Sequence, residues 1–207
     1  KAALRRQGVQ AESFNGQLLR EPWTVKTEAD APFKVFTPFW RRCREMGPFE
    51  PPEPAPKRLV PAPWPKDAPR RATLADLALH PTKPDWSAGL AKAWRPGEAG
   101  ARARLRYFLE HGLAGYAEGR DRLDGETTSR LSPHLRFGEI SPRRIVAAVA
   151  ASADNGAGRG GDKFLSEIGW REFAYSLLFQ QPELATKSWS PRFDAFPWRS
   201  DEAALEA

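Results

Sequence analysis

Thr128-Ser-Arg-Leu-Ser-Pro-His-Leu-Arg-Phe-Gly-Glu-Ile-Ser-Pro142 is the stretch that decides the class of this chain. Hydroxyl residues ahead of apolar ones suit a helix start, because a side-chain oxygen satisfies a backbone N–H that the first turn leaves open. Ser129 or Ser132 is expected to cap a short helix through Leu135 that stops at Gly138. Ser141-Pro142 is expected to open a second, with Ile145, Val146 and Val149 inward. The expected class is mainly α.

Working outward, Trp94-Arg-Pro-Gly-Glu-Ala-Gly-Ala101 has a proline and an acid where a first turn accepts them. Ala101, Leu105, Phe108, Leu109 and Leu113 follow at spacings of three and four, which predicts one amphipathic helix of about five turns. Gly115 and the stretch Gly119 to Gly125 loosen the chain. Asp154-Asn-Gly-Ala-Gly-Arg-Gly-Gly161 ends the helix begun at Pro142, and Asp162 is expected to cap a long one. There Phe164, Leu165, Ile168, Phe173, Leu177 and Leu178 make an apolar belt before Pro182, and an irregular aromatic loop runs from Trp189 to Trp198.

The first third differs in character. Lys1 to Arg6 predicts the tail of a basic amphipathic helix and carries no initiating Met, so a piece of a longer protein is expected. Ala11 to Leu19 predicts a loop and short strand, suited to the last strand of an α/β unit. Thr37-Pro38 starts a short helix to Glu45 inside the aromatic cluster Pro32 to Cys43, best explained as a local hydrophobic plug. The 20 prolines concentrate before residue 70, and residues 47–70 predict a stiff extended linker. It is expected to lie against a folded surface, since Leu59, Val60 and Trp64 would otherwise be exposed.

A net charge of +6 and a pI near 9.7 favour a polyanionic partner. Cys43 is the only cysteine, which excludes an internal disulfide or a cysteine zinc site, and His80, His111 and His134 lack ligand spacing, so no metal is expected. With no membrane-length apolar run and no leader, a cytosolic location is expected, or a nuclear one in a eukaryote. No period of twenty to fifty residues repeats, which argues against a solenoid.

Two constellations can carry chemistry. Thr127-Thr-Ser-Arg-Leu-Ser132 combines hydroxyl donors, a helix start and an arginine, either an ordinary cap with a solvent-facing arginine or a cradle for a diphosphate. On the long helix, Phe164, Glu167 and Arg171 share a sector of about 60°, with Trp170 on its flank. A Glu167–Arg171 ion pair explains that stripe if it faces water; facing inward, it needs further polar partners such as a ligand. Residues 102–144 hold nine arginines against six acids, mostly on a solvated face, from which Arg120 and Arg136 stand apart beside the hydroxyl-rich segments.

In order and spacing, Trp94-x-Pro-Gly-Glu-x-x-Ala101, Tyr116-x-x-x-Arg120-Asp, the string from Thr128 to Pro142, and Phe164-Leu-Ser-Glu-Ile-Gly-Trp-Arg-Glu-Phe173 resemble the flavin domain of the DNA photolyase/cryptochrome family. Phe33-Lys-Val-Phe-Thr-Pro-Phe39 resembles that family's crossing from its antenna α/β domain. The resemblance implies a C-terminal edge of the antenna domain and crossing segment at 1–45, a Pro-rich interdomain linker at 46–84, and the first half of a helical FAD-binding domain at 85–207. The second half of that domain would follow residue 207.

It also implies FAD as cofactor, contacted by Tyr116 and by Thr128, Ser129, Arg130, Leu131 and Ser132, with Phe164 at a place often held by tryptophan and Arg171 matching a flavin-side arginine. Glu167 and Trp170 would be the catalytic pair, the acid facing a damaged base and the indole on which an extruded pyrimidine dimer stacks; Arg120 would contact the DNA backbone. Implied further are an antenna chromophore, folate or deazaflavin, in a domain before residue 1, damaged DNA as partner, and a monomer. The implied activity is light-driven splitting of cyclobutane pyrimidine dimers by an electron from reduced flavin. A cryptochrome blue-light receptor and a (6-4) photolyase are the alternatives within the family, and a non-enzymatic helical nucleic-acid-binding module is the alternative from another class. The turn near residue 130 and the ridge near 170 are expected to face one hollow.

Overall fold

The computed structural model describes residues 2–61, 63, 72–152, 158–197, 199 and 201–205. Its helices are α1 (Ala2–Arg6), α2 (Phe36–Glu45), α3 (Ser87–Ala93), α4 (Glu98–His111), α5 (Tyr116–Gly119), α6 (Ser132–Arg136), α7 (Pro142–Ala151), α8 (Gly158–Gln180) and α9 (Glu202–Leu205), with short 3-10 turns such as Pro22–Thr24 and Pro182–Ala185. Among the described residues the strand-like pairing is one isolated bridge, Lys26 with Pro32. The class is mainly α, as expected.

Local chemistry sets several of the starts. Ser141 Oγ accepts from the Arg144 N–H at 3.2 Å and Pro142 follows in the first turn, so α7 begins where serine and proline predict. Pro38 sits in the first turn of α2, whose last turn carries Arg42 and Arg44 beside the carbonyl end of the helix. Glu98 opens α4 and pairs with Arg102 one turn on, at 2.7 Å.

Five expectations need correction. Ala11 to Leu19 forms no strand: Asn15 closes on Leu18, accepting from its N–H at 3.0 Å and donating to its carbonyl at 2.9 Å, which makes a side-chain turn in place of a ladder. The helix predicted from Trp94 to Leu113 runs only from Glu98 to His111, with Leu113 buried just past its end. Neither Ser129 nor Ser132 caps α6, because Leu131 occupies the cap and Ser132 is the first helical residue; the stop near Gly138, at φ +70°, stands. Asp162 lies within α8, which already begins at Gly158. Leu59 and Val60 are 80% and 79% exposed, so that part of the linker covers neither. Trp64, Trp198 and the stretch 153–157 lie outside the described residues.

The chain divides into two units, residues 1–19 with 49–165 and residues 20–48 with 166–207, so α8 gives its first eight residues to one and the remainder to the other. In the first unit Ala101, Leu105, Phe108, Leu113, Ile145, Val149 and Phe164 are buried. Phe108, Tyr116 and Phe164 form a closed aromatic triangle with centroids 4.6 to 5.5 Å apart. The second unit buries Val25, Phe39, Trp40, Cys43, Ile168 and Phe173, with the Phe39 and Phe173 rings 5.2 Å apart. The plug expected around residue 40 is therefore the core of this unit.

Gly169 exposes the tightness of that second core, since a Cβ there would lie 2.6 Å from Trp40 Cδ2 while Trp40 is only 9% exposed. In an open helix Gly→Ala stabilises by about 1 kcal/mol. Gly169→Ala is expected instead to lower stability by about 1–3 kcal/mol through overpacking. Gly89 on α3 has nothing within 4 Å of such a Cβ, so Gly89→Ala is expected to raise stability. Urea-denaturation midpoints of the two variants should move in opposite directions.

Candidate functional site

Arg104 of α4 builds the turn at 127–132. Its Nε donates to the Ser129 carbonyl at 2.9 Å and its Nη2 to the Thr128 carbonyl at 3.0 Å, while its guanidinium lies 5.0 Å over the Tyr107 ring. Thr127 Oγ1 donates to the Gly119 carbonyl at 2.5 Å, tying the turn to α5. Leu131, 1% exposed, anchors it in the core.

Arg130 stands in the left-handed region at φ +52°, which costs a residue with a Cβ about 1–2 kcal/mol and so requires neighbours that hold it. Its guanidinium rests half-buried 4.8 Å over the Trp94 ring, and is therefore not a solvent-facing arginine. With the carbonyls of Thr128 and Ser129 engaged and no carboxylate between 127 and 132, the turn offers a ligand hydroxyl and N–H donors. That donor character complements a phosphate, so the residues fit a phosphate-bearing cofactor.

Behind Trp94 lies a polar pair absent from the sequence reading. His134 is 4% exposed and its Nδ1–H donates to the Glu139 carboxylate at 2.5 Å; Glu139 also accepts from the Gly97 N–H at 2.8 Å. The His134 ring meets Trp94 edge-on at 6.4 Å. The His134 hydrogen bond first, and the Gly97 N–H second, hold the Glu139 carboxyl below the ordinary glutamate range.

Tyr116 and Phe164, both predicted at the flavin, are buried, and each packs against Phe108. Arg120 is about one quarter exposed and contacts Asp121 at 3.2 Å; Arg136, in the last turn of α6, is exposed.

In the second unit, Trp170 is 46% exposed and stacks on Phe36 with centroids 3.8 Å apart and planes 10° from parallel. Phe173 meets its edge at 5.9 Å. Glu167 is half-buried one turn earlier on α8. Arg171 lies 4.9 Å over the Tyr175 ring, with Nη1 3.6 Å from Glu172 Oε1. Glu172, 2% exposed, accepts from the Arg20 N–H at 3.1 Å, and the Arg20 guanidinium donates to the Gly47 carbonyl at 2.6 Å. Against this group lies Cys43, whose thiol is pushed up to about 12 by burial and then by the Glu172 charge.

The first unit thus gathers Tyr116, Arg120, Phe164 and the 128–132 turn, and the second Glu167, Trp170 and Arg171. Sequence reasoning missed Arg104, left in the arginine background, whose carbonyl partners lie 24 and 25 residues away. It also missed the His134–Glu139 pair, whose five-residue separation matches neither helix nor strand period and whose further partner, Gly97, lies 42 residues from Glu139. Two wide clefts hold none of the expected site residues: one of about 620 Å³ lined by Arg102, Arg106 and Arg144, and one of about 700 Å³ lined by Phe36, Trp40, Arg41 and Arg44. Among the described residues no His, Cys, Asp or Glu cluster is suited to a metal, and no helix is long and apolar enough to cross a membrane.

Comparison with known proteins points one way. A DNA photolyase family model matches residues 1–58. A deoxyribodipyrimidine photo-lyase of Agrobacterium fabrum is 45% identical over all of this chain and 43% of its own length. Cryptochrome-1 of Arabidopsis thaliana is 34% identical over all of this chain and 31% of its own. The crystal structure of a bacterial class III photolyase from Agrobacterium tumefaciens superposes with a TM-score of 0.91 at 43% identity, covering the whole chain and 42% of that protein. The chain spans less than half the length of these relatives.

The Glu139 carboxylate has a signature in solution. Its lowered folded value means that its contribution to stability is complete above the ordinary glutamate value of 4.5 and is lost as pH falls through the folded value. Glu139→Gln is expected to flatten the fall in stability below that pH and to converge with the wild type in acid. Urea midpoints measured from neutral pH downward check this; parallel curves would show that the carboxylate does not contribute.

Proposed function

Because the chain belongs to the DNA photolyase/cryptochrome family, we propose that its parent protein splits cyclobutane pyrimidine dimers in DNA under blue light. Trp170 carries this reading. An indole 46% exposed and held in plane on one face by Phe36 is a ready platform for a base taken out of the stack.

In this proposal the turn Thr128, Ser129, Arg130, Leu131, Ser132 holds the phosphates of FAD through hydroxyl and N–H donors, and Tyr116 and Phe164 give the pocket a rigid aromatic wall. Arg171, fixed over Tyr175, lends positive charge on the flavin side. When bound, FAD supplies the light-driven electron donation and recapture that protein side chains cannot provide. Glu167 hydrogen-bonds the edge of the lesion, Trp170 stacks on it, and Arg120 contacts the DNA backbone, in keeping with a net charge of +6.

Residues 1–45 then end an antenna domain that would carry a folate or deazaflavin pigment, 46–84 form the interdomain linker, and 85–207 begin the FAD domain. A cytosolic monomer is proposed. A blue-light receptor is the second reading, favoured by the Arabidopsis cryptochrome match over the whole chain.

The test uses the full-length protein. Flavin absorbance and repair of a dimer-bearing oligonucleotide under blue light are expected together; bound flavin without repair would favour the receptor. Trp170→Ala is expected to weaken binding of damaged DNA by about 1–3 kcal/mol, roughly 5- to 150-fold. Glu167→Ala should lower repair yield with flavin retained, and an unchanged yield would remove Glu167 from the mechanism.

A further inference from the structure

We propose that Glu139 and His134 are positioning residues for the cofactor turn, acting on it through Trp94 and the guanidinium of Arg130. The proposal rests on reading that turn as the FAD phosphate site. Arg130 holds a positive φ that its own side chain disfavours, so something outside the residue must fix it. Arg104 grips only the carbonyls of the two preceding residues, and α6 begins immediately after with no side-chain cap.

The Trp94 ring, 4.8 Å beneath the Arg130 guanidinium, provides the hold on Arg130 itself. Trp94 is fixed in turn from its edge by His134, and three residues further along the chain by Gly97, whose N–H is taken by Glu139. Glu139 also receives the His134 Nδ1–H, and its backbone N–H donates to the His134 carbonyl at 2.8 Å. The contacts close a ring: Glu139 to Gly97, along the chain to Trp94, by stacking to Arg130, through α6 to His134, and back to Glu139. No link can shift without loosening the others. A turn held this way has its donors in place before the ligand arrives, and a site already ordered binds more tightly than one ordered by binding. Glu139 and His134 touch no ligand; they act by presetting residues that do.

The test measures the FAD dissociation constant by flavin fluorescence on the full-length protein, stripped and reloaded. Glu139→Ala and Arg130→Ala are each expected to raise it about tenfold, and the double variant also by about tenfold, since residues acting through one ring are coupled and not additive. Glu139→Gln, which keeps an acceptor for the Gly97 N–H, is expected to recover most of the loss. An increase of about a hundredfold in the double variant, the product of independent effects, would overturn the proposal, as would an unchanged constant in Glu139→Ala. If Glu139→Ala does not fold, Trp94→Leu takes its place, with the same expected coupling to Arg130→Ala and the same overturning result. Thr128→Ala with Ser132→Ala is the reference: if that pair leaves the constant unchanged, the turn is not the cofactor's and both readings fall. If that pair raises it while Glu139→Ala does not, the positioning role alone falls.

Discussion

Two backbone carbonyls, those of Thr128 and Ser129, and the guanidinium that answers them set the arrangement of the first unit's candidate site. A turn without a helix or ladder of its own must find outside partners for its polar groups, and each carbonyl left without one would cost about 1–3 kcal/mol if enclosed. Arg104 meets both with one planar fork from a rigid helix. The turn thereby gives these two acceptors to the protein and, with the Thr127 hydroxyl spent on Gly119, keeps the hydroxyls of Thr128 and Ser132 for something else.

The second unit is held by a different physics. Phe36, Phe39, Trp170 and Phe173 contact one another through ring faces and edges, each pair contributing about 0.5–1.5 kcal/mol beyond the area it buries. Such contacts fix the plane of a ring while asking for no hydrogen-bond partner. Trp170 can therefore be rigid and still half in solvent, which a polar side chain at the same place could not be without a dedicated network.

What was legible in the sequence follows from the range of the forces involved. Ser141-Pro142, Thr37-Pro38 and the spacing Ala101, Leu105, Phe108 act within a turn or two, so α7, α2 and the buried face of α4 could be read directly. The start of α8 was misread because Gly158-Arg-Gly-Gly161 looks like a break. In the structure Gly160 is where a Cβ would lie 1.9 Å from the Leu113 carbonyl, so glycine serves close packing and the helix runs through it. Asn15 defeated the strand expected at 11–19 by offering its own side chain to the backbone. At the candidate site the hydroxyls and the exposed indole could be named from sequence order. Arg104 could not, because its partners are brought near by folding, and neither could the pair His134 and Glu139, because their contact depends on how the chain turns at the end of α6 and on Gly97, 42 residues from Glu139.

Cys43 carries a consequence for handling the protein. A sulfhydryl with no exposed surface, kept protonated by its enclosure and by the carboxylate beside it, is neither nucleophile nor easy target for peroxide, since both reactions proceed through the thiolate. The one sulfur in the chain able to form a cross-link is thus sequestered. Labelling with a maleimide would report unfolding of the second unit in place of surface chemistry, a built-in gauge of its integrity under illumination and storage.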